Sequence, residues 1–283
     1  MVQKVKDFLK SNGLTQSNLS RSIGVSTAAV SQFLGGTYKG DVKGLESKIN
    51  DFINNYSFKD VIDEIEIVKT HDFVTTHFII DEAIISKEMA VVYGKAGCGK
   101  TTSIKEYIKT HPEAVLVEAI PGMGMKSVLS EICSKIGVQT GKQSEEMIRD
   151  IAKEFSRREA VLIIDEAENL TTKTLEAIRR IWDFSSVPTV LVGTPALLNN
   201  LKGRNGELLQ LYSRISGKWE FRGLNENDWS ALFGEYAEHI KQITTHLRRA
   251  MNIYKKATRF ASMKNEVLNA GHIKTASSMV ILG

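Results

Sequence analysis

Apolar residues follow three regimes along the chain. Up to about residue 57 they recur at helical spacing, with Val5, Phe8 and Leu9 on one face. Within 14–36, Leu19, Ile23, Val25, Val30 and Leu34 are placed so that two short helices pack together. Gly24 falls at the turn between them, where positive φ is needed, and Ser26 is suited to cap the second helix, 26–34. From about 70 to 222 the period changes. Apolar runs at 90–93, 161–164 and 189–192, with a shorter one inside 114–119, alternate with helical stretches at 101–109, 125–136, 145–156 and 172–183. Such runs are strands covered on both faces, and the alternation predicts an α/β fold with a doubly wound parallel sheet. From about 223 to 283 the pattern is helical again. Between the first two regimes, 58–69 mixes acidic and β-branched residues and reads as a linker.

The most specific chemistry lies at the end of the first predicted strand. Gly94-Lys95-Ala96-Gly97-Cys98-Gly99-Lys100-Thr101 fits G-x-x-x-x-G-K-[ST], and Thr102 continues it into a helix. Glycines let the backbone curl so that its N–H groups face an anion, and the helix N-terminus adds partial positive charge. In that arrangement Lys100 reaches the β- and γ-phosphates and Thr101 ligates Mg²⁺. The run 161–164 delivers Asp165 and Glu166 to a strand end: the first suited to Mg²⁺, the second to polarising a water for attack on the γ-phosphorus. The next strand ends in Gly193-Thr194, where a hydroxyl can contact the γ-phosphate or the attacking water. Arg214, with Arg204 as competitor, is a cation that could reach a neighbouring subunit's nucleotide. Arg248, with Arg249 second, is placed to fold over the nucleotide. Cys98 inside the loop predicts a lowered thiol pKa and sensitivity to alkylation.

Composition narrows the setting. The chain has 283 residues, 42% hydrophobic and 25% charged, the balance of a globular protein with one large core or two to three smaller ones. Its net charge of +4 is compatible with nucleic acid without requiring it. Two cysteines, Cys98 and Cys133, give neither a disulfide framework nor zinc spacing, and the six histidines show no metal-ligand pattern. No apolar run approaches the roughly 20 residues of a membrane span. The expectation is a cytoplasmic protein.

Together, the 94–101 loop, Asp165-Glu166, Gly193-Thr194, Ser213-Arg214-Ile215 and Leu247-Arg248 resemble an AAA+ ATPase. The order of parts, with helix-turn-helix first, resembles the Mu B and TnsC type of transposition regulator. Expected domains are a helix-turn-helix DNA-binding domain at 1–57, a linker at 58–69, an AAA+ core at 70–222 and a helical lid at 223–283. The resemblance implies ATP and Mg²⁺ as cofactors. As partners it implies double-stranded DNA, a transposase and further copies of the chain in an ATP-dependent filament. Thr194 departs from the Asn that Mu B-type proteins can carry. If the helix-turn-helix docks in a major groove, Thr27, Ala28, Ser31 and Gln32 meet DNA. Lys126, Thr140 and Lys142 occupy loops that line the channel in TnsC-like filaments. The basic run from Lys241 to Lys264, without Asp or Glu, suits DNA, a transposase or a neighbouring subunit. A sequence-specific transcriptional regulator with an ATPase switch and an IstB-like helicase loader are the competing readings.

Overall fold

The computed structural model describes residues 1–63, 67–141, 143–202 and 208–282, without the side chains of 54–63. The chain divides into two compact units, Met1–Ile67 and Val68–Gly283.

The first unit is four helices: α1 (Val2–Ser11), α2 (Gln16–Ile23), α3 (Thr27–Leu34) and α4 (Val42–Asp63). Val5, Leu19, Val30, Phe33, Leu34, Leu45 and Ile49 close its core. Gly24 ends α2 at φ 68°, and the Ser26 hydroxyl accepts the Ala29 N–H to start α3. That glycine supplies the left-handed turn that sets the two helices against each other. Helix α4 continues to Asp63, into the stretch read as a linker.

The second unit begins with α5 (His71–Ser86) and proceeds through β1 (Met89–Tyr93), α6 (Lys100–Thr110), β2 (Ala114–Glu118), α7 (Met125–Ile136) and α8 (Ser144–Phe155). It continues with β3 (Val161–Asp165), α9 (Thr172–Ser185), β4 (Thr189–Gly193), α10 (Pro195–Lys202), α11 (Leu209–Tyr212) and β5 (Ile215–Glu220). The strands form one sheet in the order β2-β3-β4-β1-β5, all neighbours parallel. The continuous apolar runs have a direct cause. Along β1 the side chains of Met89, Val91 and Tyr93 enter one core and those of Ala90 and Val92 enter another, on opposite faces of the sheet.

Strand β5 is a fifth strand that the apolar runs do not reveal. Its sequence Ile-Ser-Gly-Lys-Trp-Glu alternates partly buried and exposed positions because it lies at the sheet edge. Beyond it, α12 (Glu226–Phe233), α13 (Ala237–Ile243), α14 (Leu247–Met263) and α15 (Ala270–Ser277) pack around Trp229, Phe233, Ile240, Ile253 and Ile273. Among the described residues no helix is long and apolar enough to cross a membrane.

Candidate nucleotide site

Strand order decides what the loop after β1 meets. Because β4 lies between β1 and β3, the end of β4 emerges between the 94–101 loop and the carboxylates ending β3. The Gly94 N–H donates to the Gly193 carbonyl at 3.1 Å, tying loop to strand end. This is a crevice at the carboxyl ends of parallel strands, where open α/β sheets bind ligands.

The loop curls through two positive-φ glycines, Gly97 at 72° and Gly99 at 106°. Lys100 is 8% exposed, and its ammonium donates to the carbonyls of Gly94 at 2.8 Å and Lys95 at 3.1 Å. The lysine is thus held across the mouth of its own loop. Lys95 and Ala96 are exposed, Cys98 is half-buried, and Thr102 is exposed on the first turn of α6. Gly94 is itself a close approach: a Cβ there would lie 2.6 Å from the Phe221 Cβ.

The Thr101 hydroxyl donates to the Asp165 carboxylate at 2.7 Å, and Asp165 is 2% exposed. A hydroxyl and a buried carboxylate at that separation are the oxygen donors Mg²⁺ takes, beside a loop shaped for phosphates. The residues present therefore fit a Mg²⁺–nucleotide. Glu166 follows in left-handed backbone (φ 54°, ψ 34°), its N–H donating to Asp165 Oδ1 at 2.8 Å. This turn swings the Glu166 side chain into solvent while Asp165 stays buried. Asn169 donates to Glu166 Oε2 at 3.4 Å and to the Ala119 carbonyl at 3.1 Å, an anchor that the sequence reading missed. Thr194 is partly buried just beyond β4.

From the C-terminal helices, His246, Leu247 and Arg248 reach the loop. The Arg248 N–H donates to the Gly97 carbonyl at 3.1 Å, and Leu247 lies 3.3 Å from the place of a Cβ on Gly99. Arg248 is thus brought to the phosphate loop, its side chain exposed. Arg249 turns elsewhere, donating to the Leu282 carbonyl at 3.0 Å.

Other predicted residues lie apart. Arg214 is half exposed, 3.6 Å from Asp183 and stacked 5.5 Å over the Trp182 ring, so within this chain it is bound to α9. Thr27, Ala28, Ser31 and Gln32 share the exposed face of α3, with the Thr27 hydroxyl 3.1 Å from that of Ser20. Lys126 and Thr140 are exposed at the two ends of the α7 region, whereas Lys142 and Arg204 lie outside the described residues. The Cys98 expectation is reversed. Burial pushes its thiol pKa up, against the smaller lowering pull of Lys100.

The junction with the C-terminal helices carries two buried carboxylates without a sequence signature. Asp72 accepts from the Arg222 N–H at 3.1 Å and the Gly223 N–H at 2.9 Å. Asp228 accepts from the His71 N–H at 3.1 Å and the Asn225 N–H at 3.0 Å. Asp228 at the start of α12 thereby satisfies an orphan amide at the start of α5, while Asp72 of α5 holds the loop backbone ahead of α12.

Comparison with known proteins agrees with this geometry. Residues 84–201 match the family described as the AAA domain. The chain is 29% identical over 246 residues to the Mu-like prophage FluMu DNA transposition protein B of Haemophilus influenzae, covering 82% of this chain and 83% of that protein. It is 22% identical to the ATP-dependent target DNA activator B of Escherichia phage Mu, over 96% of this chain and 92% of that protein. Among solved structures, the Aeropyrum pernix ORC2 protein superposes with TM-score 0.60 at 17% identity, covering 78% of this chain and 71% of that one, a likeness of fold.

Proposed function

We infer that this chain, an AAA+ ATPase of the Mu B type, is an ATP-dependent activator of target DNA in transposition. The observation that carries the chemistry is the 2.7 Å contact between Thr101 and Asp165, which joins the phosphate loop to the carboxylate strand. Each residue then has a task. The 94–102 backbone amides and Lys100 hold the phosphates, and Lys100 exchanges the carbonyls of Gly94 and Lys95 for phosphate oxygens. Thr101 and Asp165 would hold Mg²⁺, which would supply positive charge to the phosphates. Glu166, exposed at the rim and steadied by Asn169, takes the proton of the attacking water. Thr194, between loop and carboxylates, contacts the γ-phosphate, and Arg248 closes over it. Arg214 leaves Asp183 and Trp182 to reach the nucleotide of a neighbouring copy.

On the DNA side we assign the exposed α3 residues Thr27, Ala28, Ser31 and Gln32, together with Lys126, Thr140 and Lys142, to contacts with double-stranded DNA. These contacts are largely independent of sequence and assemble as ATP-bound copies polymerise. A transposase recruited to that assembly is the remaining partner. Electron microscopy with random duplex DNA and a non-hydrolysable ATP analogue tests this reading. Nucleotide-dependent filaments whose DNA affinity falls steeply with salt are expected. Discrete complexes at a single operator would refute it in favour of a sequence-specific regulator.

A further inference from the structure

Arg214 enters β5 from α11 with its backbone fixed, its N–H donating to the Leu211 carbonyl at 2.9 Å. The side chain has a resting place on α9, built from two residues that are held independently of it. Asp183 offers Oδ1 to the Arg214 Nε at 3.6 Å, while its Oδ2 accepts from Arg179. Arg179 is 3% exposed and is gripped a second time by Glu176, its Nε donating to Oε2 at 2.8 Å. The Trp182 ring, 5.5 Å from the guanidinium carbon, is anchored by its indole N–H on the Lys87 carbonyl at 3.2 Å.

An ordinary surface ion pair gains little, because ordering two long side chains offsets the attraction. Here the carboxylate and the ring are already ordered, so Arg214 alone gives up freedom. Asp183 also lies in the last turn of α9, which has no basic residue there, and a cation is favoured at that end of a helix. Departure is equally easy. Arg214 is half exposed, and when it leaves, Asp183 keeps Arg179, so no charge is left buried and unpaired. The contact holds the guanidinium without locking it.

We propose that Asp183 is a positioning residue for Arg214: it parks the guanidinium on α9 in the isolated chain and so sets how readily one copy engages the nucleotide of the next. This deepens the reading of Arg214 as the cation that reaches a neighbouring copy, and rests on it. Assembly must first free the guanidinium, so the parked state raises the concentration at which copies associate.

The test is the protein concentration for half-maximal assembly of the full chain, measured by sedimentation with Mg²⁺ and a non-hydrolysable ATP analogue. Asp183→Asn removes the charge that Arg214 meets and leaves a carbonyl oxygen for Arg179. It should lower that concentration about two- to fivefold, the range of an exposed ion pair. In an Arg214→Ala background the same substitution should change nothing, because there is no guanidinium to free. An unchanged or higher concentration for Asp183→Asn overturns the proposal. An equal decrease in the Arg214→Ala background also overturns it, by assigning the effect to α9 itself. If Asp183→Asn does not fold, Trp182→Leu takes its place, with a similar decrease expected from loss of the ring and the same two outcomes against it. ATP hydrolysis at the wild-type rate by Arg214→Ala, or no assembly of the wild-type chain, would instead strike the reading of Arg214 beneath the proposal, a separate result.

Discussion

Removing the Asp72 carboxylate should loosen the junction between the α/β layer and the C-terminal helices. Asp72 is 4% exposed and accepts two backbone N–H groups, those of Arg222 and Gly223. Hydrogen bonds to a charged group contribute about 1.5–3 kcal/mol each. The two donors belong to exposed residues, so water satisfies part of what Asp72→Ala removes. The lower end applies, about 3 kcal/mol for the pair. At roughly 2–4 °C per kcal/mol for a unit of this size, Tm should fall by about 6–12 °C. Asp72→Asn keeps one acceptor oxygen and should lose about half as much. Thermal unfolding of the full chain gives the magnitude, and hydrogen exchange at the Arg222 and Gly223 amides gives the location. Protection at those amides should collapse before that of β1 and β3. If Asp72→Ala melts within about 1 kcal/mol of wild type and both amides stay protected, the carboxylate is not the pin. Asp228→Ala should be non-additive with it, since each carboxylate closes the same joint from the opposite side.

Glu166→Gln should leave ATP affinity unchanged and slow hydrolysis by about 10²–10⁴-fold, measured by phosphate release; wild-type turnover would remove Glu166 as the base. Thr101→Val deletes the hydroxyl on Asp165 and should raise the Mg²⁺ concentration needed for half-maximal nucleotide binding, and an unchanged Mg²⁺ titration would contradict that placement. Because burial raises the Cys98 thiol pKa, less thiolate is present at neutral pH. Its alkylation at pH 7 should be slower than that of a free cysteine and should accelerate only as pH climbs past the ordinary thiol range. Equal or faster reaction at pH 7 would refute the direction.

What the sequence made legible follows from periodicity and from motif. The inner strands β1, β3 and β4 were visible because burial on both faces leaves no polar position to interrupt them, and the edge strand β2 through its shorter apolar run. The edge strand β5 was not, since Gly217 and Lys218 look like loop until β1 is known to lie beside them. Gly24 and Ser26 foretold the turn between α2 and α3 because each has one stereochemical use there. The curl of the loop and the strand end that carries Asp165 and Glu166 were readable because each is written in residues adjacent in sequence. The contacts of Asn169 with Ala119, of Asp72 with 222–223, of Asp228 with His71 and of His246 with Gly97 join residues brought near only by the fold, so no spacing could announce them. Cys98 went the wrong way for a related reason. Its position suggested a positive field, while its pKa is governed by how deeply the side chain is packed.

The exchange between Asp72 and the backbone at 222–223 spans 150 residues of chain. The α/β layer is therefore entered and left at one point, and closing a loop of that length costs roughly 4 kcal/mol in chain entropy. During synthesis the phosphate loop emerges early, but its fastening and its contact with α14 wait for residues 222 and 248. A ribosome-bound chain thus displays the nucleotide motif well before it owns a finished pocket.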